Sequence, residues 1–481
     1  MADFSTIVKK IFPSSPSKNS IIAWACAFLV CFTVALINID TRWRFIETEN
    51  NSSLIFANLL FLIFLFSFLS YFCGKRIIDR NLSNKETWLA AGLSALYIGG
   101  SFFVRYIPDL SVPAAVFVPT ALIILIPSIL ISPRLALILA VALPLGSLLT
   151  GAFDEPSFIF SITSGVTAAY SFRVAEKRKD LLKAGLIVAG VNLISMTAVL
   201  LWHDSPAAVY PTALVLAVLN GIVSGMLILG VLMPLEQALN SATSFRLNEL
   251  SDLNAPILKR LFTTAPGTYS HSLMVANLAE TACHDIGANS LLARVGAYYH
   301  DLGKMEKPEY YVENQKDHNI HDELEPKHSV TVIRNHVKLG EEKARQLKLP
   351  EEVIEIISQH HGSSVITWFY SKALKQEEGK KSPINVEDYS YPGTPPQSRE
   401  SAVVMLADMV EAAVRSMDKP TTEQIENFIR ELISQKAEHG QLAQSDLTFR
   451  ELEIIKKAFV RVLSGYYHTR IEYPKIEVKQ S

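Results

Sequence analysis

Apolar positions crowd the first half of the chain and thin out abruptly near residue 235. Between residues 20 and 235 they form runs: about Ile21–Ile39, Leu54–Cys73, Trp88–Tyr106, Val112–Ile131, Leu135–Ala152, Ser157–Phe172, Ala184–Trp202 and Val209–Leu235. A helix crossing a bilayer needs about 20 mostly apolar residues, so the pattern predicts about eight membrane helices. The fifth and sixth runs are short, and a re-entrant turn would also explain them. Lys9, Lys10 and Lys18 precede the first run as they would in a signal peptide. That run is long, however, and no small-residue cleavage site follows it, so a retained anchor is expected. Pro113, Pro119, Pro127, Pro133 and Pro144 fall in or near the fourth and fifth runs and predict kinks or breaks. Asn58, Asn192 and Asn220 are the main polar interruptions. Interhelical hydrogen bonds explain them better than a transport path, which would display charges.

The charges between the runs orient the bundle. Alternate connections carry Lys75, Arg76, Arg80 and Lys85, then Arg134, then Arg173, Lys177, Arg178, Lys179 and Lys183. The connections between these carry Arg42, Arg44 and Arg105, or acids such as Asp154 and Glu155. Positive charge stays on the cytoplasmic side, which places the N-terminus inside and, after eight crossings, returns the C-terminal half to the cytosol. The organisation expected is a cytoplasmic segment over 1–20, a membrane domain over 21–235, a polar helical connector over 236–262, and a cytosolic domain over 263–481.

In the last of these the pattern changes from runs to stripes, and the expected class is all-α. Pro350 is placed to begin a helix whose first turn carries Glu351 and Glu352. A polar loop over about Lys372–Ser398, rich in Gly and Pro, reads as a lid or a surface excursion. Several stripes continue into polar residues. His271 shares a face with Met274, Val275 and Leu278, and Tyr299 leads into His300. His336 points the way of Val332 and Ile333. His360 and His361 extend the stripe of Val353, Ile356 and Ile357, and Asp408 aligns with Val404.

Composition adds two limits. The net charge of −2 gives no reason to expect a nucleic acid polymer as partner. Cys26, Cys31, Cys73 and Cys283 have neither zinc-knuckle nor disulfide spacing, which fits a reducing cytosol. Nine of the 12 histidines fall between His271 and His361. His284, His318, His321 and His328 do not follow the stripes and read as surface or loop residues.

A single inward histidine is usually an ordinary core residue. Seven inward groups on five helices are different, because burying two carboxylates and five imidazoles without compensation is very unfavourable. Metal ions supply that compensation. Imidazole and carboxylate donors suit iron, manganese or zinc, and the set is too large for one tetrahedral ion. It fits two divalent ions bridged by a carboxylate, with Asp301 the natural bridge.

The ordered set His271, His300-Asp301, His336, His360-His361, Asp408, with "HDLGK" at 300–304, resembles the HD-domain metal-dependent phosphohydrolases. "APGTYSHSLMVANLAE", "YYHDLGKMEKPEYYVENQ", "QHHGSS" and "RVLSGYYHTRIEYP" narrow the likeness to the membrane-anchored 7TM receptor–HD family, whose characterised members are cyclic di-AMP phosphodiesterases. The resemblance runs from about residue 54 onward and is most specific between Thr264 and Ala413. It implies an all-α polytopic membrane domain followed by an all-α HD phosphohydrolase domain that hydrolyses cyclic di-AMP to pApA. The localisation implied is a bacterial inner membrane. The partners expected are the lipid bilayer and the cyclic dinucleotide, and a homodimer is admitted as the assembly.

The family's ligands carry over as His271, His300, Asp301, His336, His360, His361 and Asp408, for two ions, iron or manganese. His271, His300 and Asp408 would mainly hold one, and His336, His360 and His361 the other. Asp301 and Lys304 are the expected catalytic residues, with Lys304 facing transition-state charge. Lys304, Asn314 and Tyr391 are the expected substrate contacts. Family members carry a large extracytoplasmic domain after the first membrane segment; here that connection is only about Asp40–Ser53. Three alternatives remain: an HD hydrolase of cyclic di-GMP or guanosine tetraphosphate, a receptor that binds nucleotide without cutting it, and a transporter. The absence of a Gly-Tyr-Pro motif after the His-Asp pair argues against cyclic di-GMP.

Overall fold

The computed structural model describes residues 82–104, 112–149, 151–175, 177–315, 318–376, 384–418 and 420–467, with Ala25 and Phe28 in isolation. The predicted runs at 21–39 and 54–73, and the short connection at 40–53, lie outside these apart from those two residues. The fold is all-α. Among the described residues the only β pairing is an isolated antiparallel bridge between Val365 and Ser390. The chain forms two compact units, 1–239 and 240–481.

The first unit contains α1 (Asn84–Val104), α2 (Thr120–Leu130), α3 (Pro133–Leu149), α4 (Glu155–Ser171), α5 (Leu181–Trp202) and α6 (Tyr210–Leu239). Among the described residues, three apolar helical stretches are long enough to cross a bilayer: Asn84–Val104, Arg178–Trp202 and Ala207–Leu239. Their exposed large side chains, among them Leu96, Phe103, Ile194, Leu201 and Met226, are apolar, as lipid contact requires.

The predicted run at 112–131 is not one helix. A single turn, Ala114–Phe117, gives way to extended backbone at Val118, and α2 starts only after Pro119. A proline cannot donate to the preceding turn, so carbonyls at the break need other donors. Asn220 of α6 supplies them, its amide donating to the carbonyls of Val116 and Val118 at 2.9 Å each. Asn192 of α5 donates to Ala217 of α6. Both asparagines therefore tie helices together. α5 and α6 approach so closely that a Cβ on Gly221 would lie 2.4 Å from the Ala189 nitrogen. Arg178, counted above as a topology-setting charge, pairs at 2.7 Å with the buried Glu236.

α6 runs through Pro234 to Leu239, so the expected connector is not one helix. The chain breaks at Asn240, which has a φ of 55°. It resumes as α7 (Ser244–Leu250) and α8 (Pro256–Thr264). The second unit continues with α9 (Pro266–Asp285), α10 (Ser290–Tyr299), α11 (Pro326–Gln346), α12 (Glu351–Gln359), α13 (Thr367–Gln376), α14 (Arg399–Arg415), α15 (Thr422–Glu438) and α16 (Phe449–Tyr467). Stripes on these helices close one core that includes Leu261, Val275, Val295, Ile357, Val404 and Phe459. Pro350 caps the start of α12, with Glu351 and Glu352 in its first turn. The region expected as a polar loop begins as α13. Beyond Ile384 it folds back on the unit, where Tyr391 donates its backbone N–H to the Ser364 carbonyl at 2.9 Å.

Candidate metal centre

Five helices deliver the seven side chains. α9 carries His271, α11 carries His336 and α14 carries Asp408 on their buried faces. His300 and His360 occupy the C-caps of α10 and α12, with Asp301 and His361 next in the chain. The last carbonyls of a helix lack intrahelical partners. His300 uses this by donating Nδ1–H to the Ala297 carbonyl at 2.8 Å, and His360 does the same to Ile357 at 2.7 Å. His336 donates its Nδ1–H to the Ile333 carbonyl. Each bond fixes one ring nitrogen as the donor and aims Nε2 at the centre.

Gly303 lets the chain beyond the dyad pack directly on α11. A Cβ there would lie 1.8 Å from the His336 carbonyl oxygen. Only a bare Cα lets the short 3₁₀ turn Leu302–Glu306 press against α11.

Asp301 sits between two groups of donors. Its Oδ1 faces His336 Nε2 at 3.4 Å and His360 Nε2 at 3.9 Å. Its Oδ2 faces His300 Nε2 at 3.2 Å, His271 Nε2 at 3.8 Å and the Lys304 ammonium at 2.8 Å. His271 Nε2 lies 3.0 Å from Asp408 Oδ1, and His361 Nδ1 lies 3.6 Å from Asp408 Oδ2. Three triads bring their donor atoms within 4.8 Å of one another: His336, His360, His361; His271, His300, Asp408; and His300, Asp301, His360. His361 is the most exposed of the seven, with 23% of its side-chain surface open.

Burial acts on all these groups and their charges decide the outcome. It pushes His336 down to about 4 and His360 to about 3, and depresses His361 strongly, so these three are neutral. It also disfavours charge on His300, but the Asp301 and Asp408 carboxylates overcome it and push His300 up to about 10. Against the same burial, hydrogen bonds to Asp408 and Glu411 raise His271. Despite desolvation, both carboxyls stay well below their usual range, Asp301 through the charges of His300 and Lys304 and Asp408 chiefly through its hydrogen bond to His271.

The donor set fits divalent cations. His336 and His360 bring their Nε2 atoms to 3.3 Å while both Nδ1 protons are engaged elsewhere. Neither neutral ring has a proton left to share, so two lone pairs face each other. His300 Nε2 and Asp301 Oδ1 are buried and have no hydrogen-bond partner within the protein. A cation resolves each of these conflicts.

The other expected residues are placed less simply. Lys304 lies half-buried between the Asp301 and Glu313 carboxylates, at 2.8 and 2.9 Å, and they hold it well above its usual range in spite of desolvation. Asn314 accepts from the backbone N–H groups of Gly267 and Thr268 and donates to Thr268 Oγ1, so its amide ties this loop to the start of α9. Tyr391 stacks on His361 with ring centroids 4.2 Å apart. His284, His318 and His328 are exposed. His321 is buried instead, donating through Nε2 to the Tyr310 carbonyl at 2.7 Å and packing on Phe369.

Two carboxylates escaped the reading of the sequence. Glu411 accepts from Nδ1 of His271. Its position three residues after Asp408, on the same buried face of α14, was an available signal. Glu313 holds Lys304 from a loop and has no periodic signature.

Residues 49–243 match the family "7TM receptor with intracellular HD hydrolase", and residues 268–413 match the HD domain. Among curated proteins, the "Cyclic-di-AMP phosphodiesterase PgpH" of Bacillus subtilis is 40% identical over 371 residues, covering 75% of this chain and 52% of that protein. The protein of the same name from Listeria monocytogenes is 38% identical over 361 residues, 74% of this chain and 50% of that one. The chain thus spans about half the length of these relatives. A solved structure, the HD domain of L. monocytogenes phosphodiesterase PgpH in complex with cyclic-di-AMP, is 44% identical. It covers 45% of this chain and all of that one, with a TM-score of 0.43.

Proposed function

Because the chain belongs to the membrane-anchored 7TM receptor–HD family, we propose that it is a metal-dependent phosphodiesterase that hydrolyses cyclic di-AMP to pApA. The observation carrying this reading is Asp301, whose two carboxylate oxygens face separate groups of imidazoles. The names of the B. subtilis and L. monocytogenes relatives support the substrate.

The site would hold two ions, iron or manganese, with Asp301 shared between them. One would rest mainly on His336, His360 and His361, and the other on His271, His300 and Asp408. Such ions acidify water and neutralise phosphate oxygens. The chain's own groups do the rest. Asp301 and the imidazoles fix where the scissile phosphate lies. Lys304 holds Asp301 in one orientation and keeps a positive charge beside it. Tyr391, stacked on His361 at the more open side, offers a face to a base or ribose. Hydrolysis adds one water across a single P–O3′ bond, and the second phosphodiester stays intact.

The chain is a membrane protein. We place it in the bacterial inner membrane with its N-terminus and HD unit cytosolic, on the distribution of Lys and Arg between the apolar runs.

The test is turnover of cyclic di-AMP by the full chain in detergent or nanodiscs, supplied with manganese or ferrous iron and followed by chromatography. Linear pApA should accumulate, and cyclic di-GMP and guanosine tetraphosphate should compete poorly. A folded, metal-loaded chain that leaves cyclic di-AMP intact would end the proposal.

A further inference from the structure

The reaction proposed above uses one of the substrate's two phosphodiesters at the metals and leaves the other to be held elsewhere. Lys436, on α15, is a cation with no assigned role. Among the described residues its polar partner is the Ser364 hydroxyl, at 2.6 Å, and no carboxylate pairs with it. Other lysines of this unit are neutralised: Lys304 by Asp301 and Glu313, Lys327 by Asp388, and Lys456 by Glu426 and Glu453.

Ser364 is the common support of the open side of the centre. Its backbone N–H donates to the His361 carbonyl at 3.1 Å, and its own carbonyl accepts from Tyr391. The neighbouring Ser363 is clamped by Gln441, which accepts from its N–H at 3.0 Å and donates to its hydroxyl at 2.9 Å. Lys436 therefore stands on a fixed turn beside the His361–Tyr391 stack. Desolvation pulls its ammonium below the usual lysine range, and Asp408 is near enough to oppose that. An ammonium has three donors, and Ser364 occupies one, leaving two for an anion.

Resting on the phosphodiesterase reading, we propose that Lys436, seated on Ser364, binds the non-scissile phosphate of a cyclic dinucleotide while the other phosphate is cut. The site would then favour substrates with two phosphodiesters over those with one.

The experiment compares the full chain with Lys436→Met and Lys436→Arg on cyclic di-AMP and on bis(p-nitrophenyl) phosphate, a single diester. A lost charge-assisted hydrogen bond predicts a KM for cyclic di-AMP about 10-fold higher or more in Lys436→Met, with kcat little changed. Its kcat/KM on bis(p-nitrophenyl) phosphate and its metal content should match the wild type, and Lys436→Arg should recover most of the KM. An unchanged KM for cyclic di-AMP overturns the proposal. So does an equal loss on both substrates, which would make Lys436 a prop for the His361 turn. A wild type that cuts the single diester but not cyclic di-AMP locates the failure in the functional reading, and this subsite falls with it.

Discussion

Glu411 accepts a hydrogen bond from Nδ1 of His271, whose Nε2 lies 3.0 Å from Asp408 Oδ1. A carboxylate behind a ligating histidine fixes its tautomer and strengthens it as a donor. Glu411→Gln keeps the volume and removes the charge. It should weaken metal binding by about 10- to 100-fold while leaving the helical content unchanged. Titration with manganese, read by calorimetry, checks this; wild-type affinity in the variant would leave Glu411 with only a packing role.

Asp301 touches both histidine groups, so its removal should cost more than that of any outer carboxylate. Asp301→Ala is expected to lose turnover beyond the about 100-fold typical of an outer-shell change, together with most bound metal. Metal content by mass spectrometry and the rate on cyclic di-AMP are the readouts. Full activity would end the shared-carboxylate scheme.

At Gly303 the expected effect is on stability first. Gly303→Ala drives a methyl group into the His336 carbonyl, an overpacking that typically costs about 1–3 kcal/mol. Urea unfolding of the HD unit should shift accordingly, and metal affinity should fall with it because His336 must move. An unaltered midpoint would mean that the 3₁₀ turn can retreat from α11.

The protonation pattern predicts how the metal-free chain responds to pH. His300 is pushed up to about 10 by the Asp301 and Asp408 carboxylates, so it holds a proton at neutral pH that an incoming cation must displace, and His271 is shifted in the same direction. Metal binding should therefore release protons at pH 7, and affinity should rise with pH; calorimetry in buffers of different ionisation heat measures the release. Uptake without proton release contradicts the scheme. His336 and His360 have the opposite sign. Their pKa values are depressed from 6.5 to about 4 and about 3, so the unfolded chain takes up protons first as pH falls. Their contribution to metal-free stability is present above pH 6.5 and is lost as pH drops from there through 4 to 3. Thermal melts across that range test it.

The convergence of the seven polar side chains was legible because each lies on, or directly extends, a helical stripe of apolar residues. The prolines likewise announced the broken stretch before α2. What stayed hidden depends on tertiary partners. Pro234 passes within α6, while Asn240, unremarkable in sequence, breaks the chain by adopting a positive φ. His321 is buried by Phe369 and Tyr310, contacts that no local period encodes. Asn314 read as a substrate contact, whereas its amide is spent on partners on α9 more than 40 residues away.

Of the seven side chains His361 is the most open and Asp408, 3.6 Å from it, is next, so solvent and substrate meet the centre along the edge these two share.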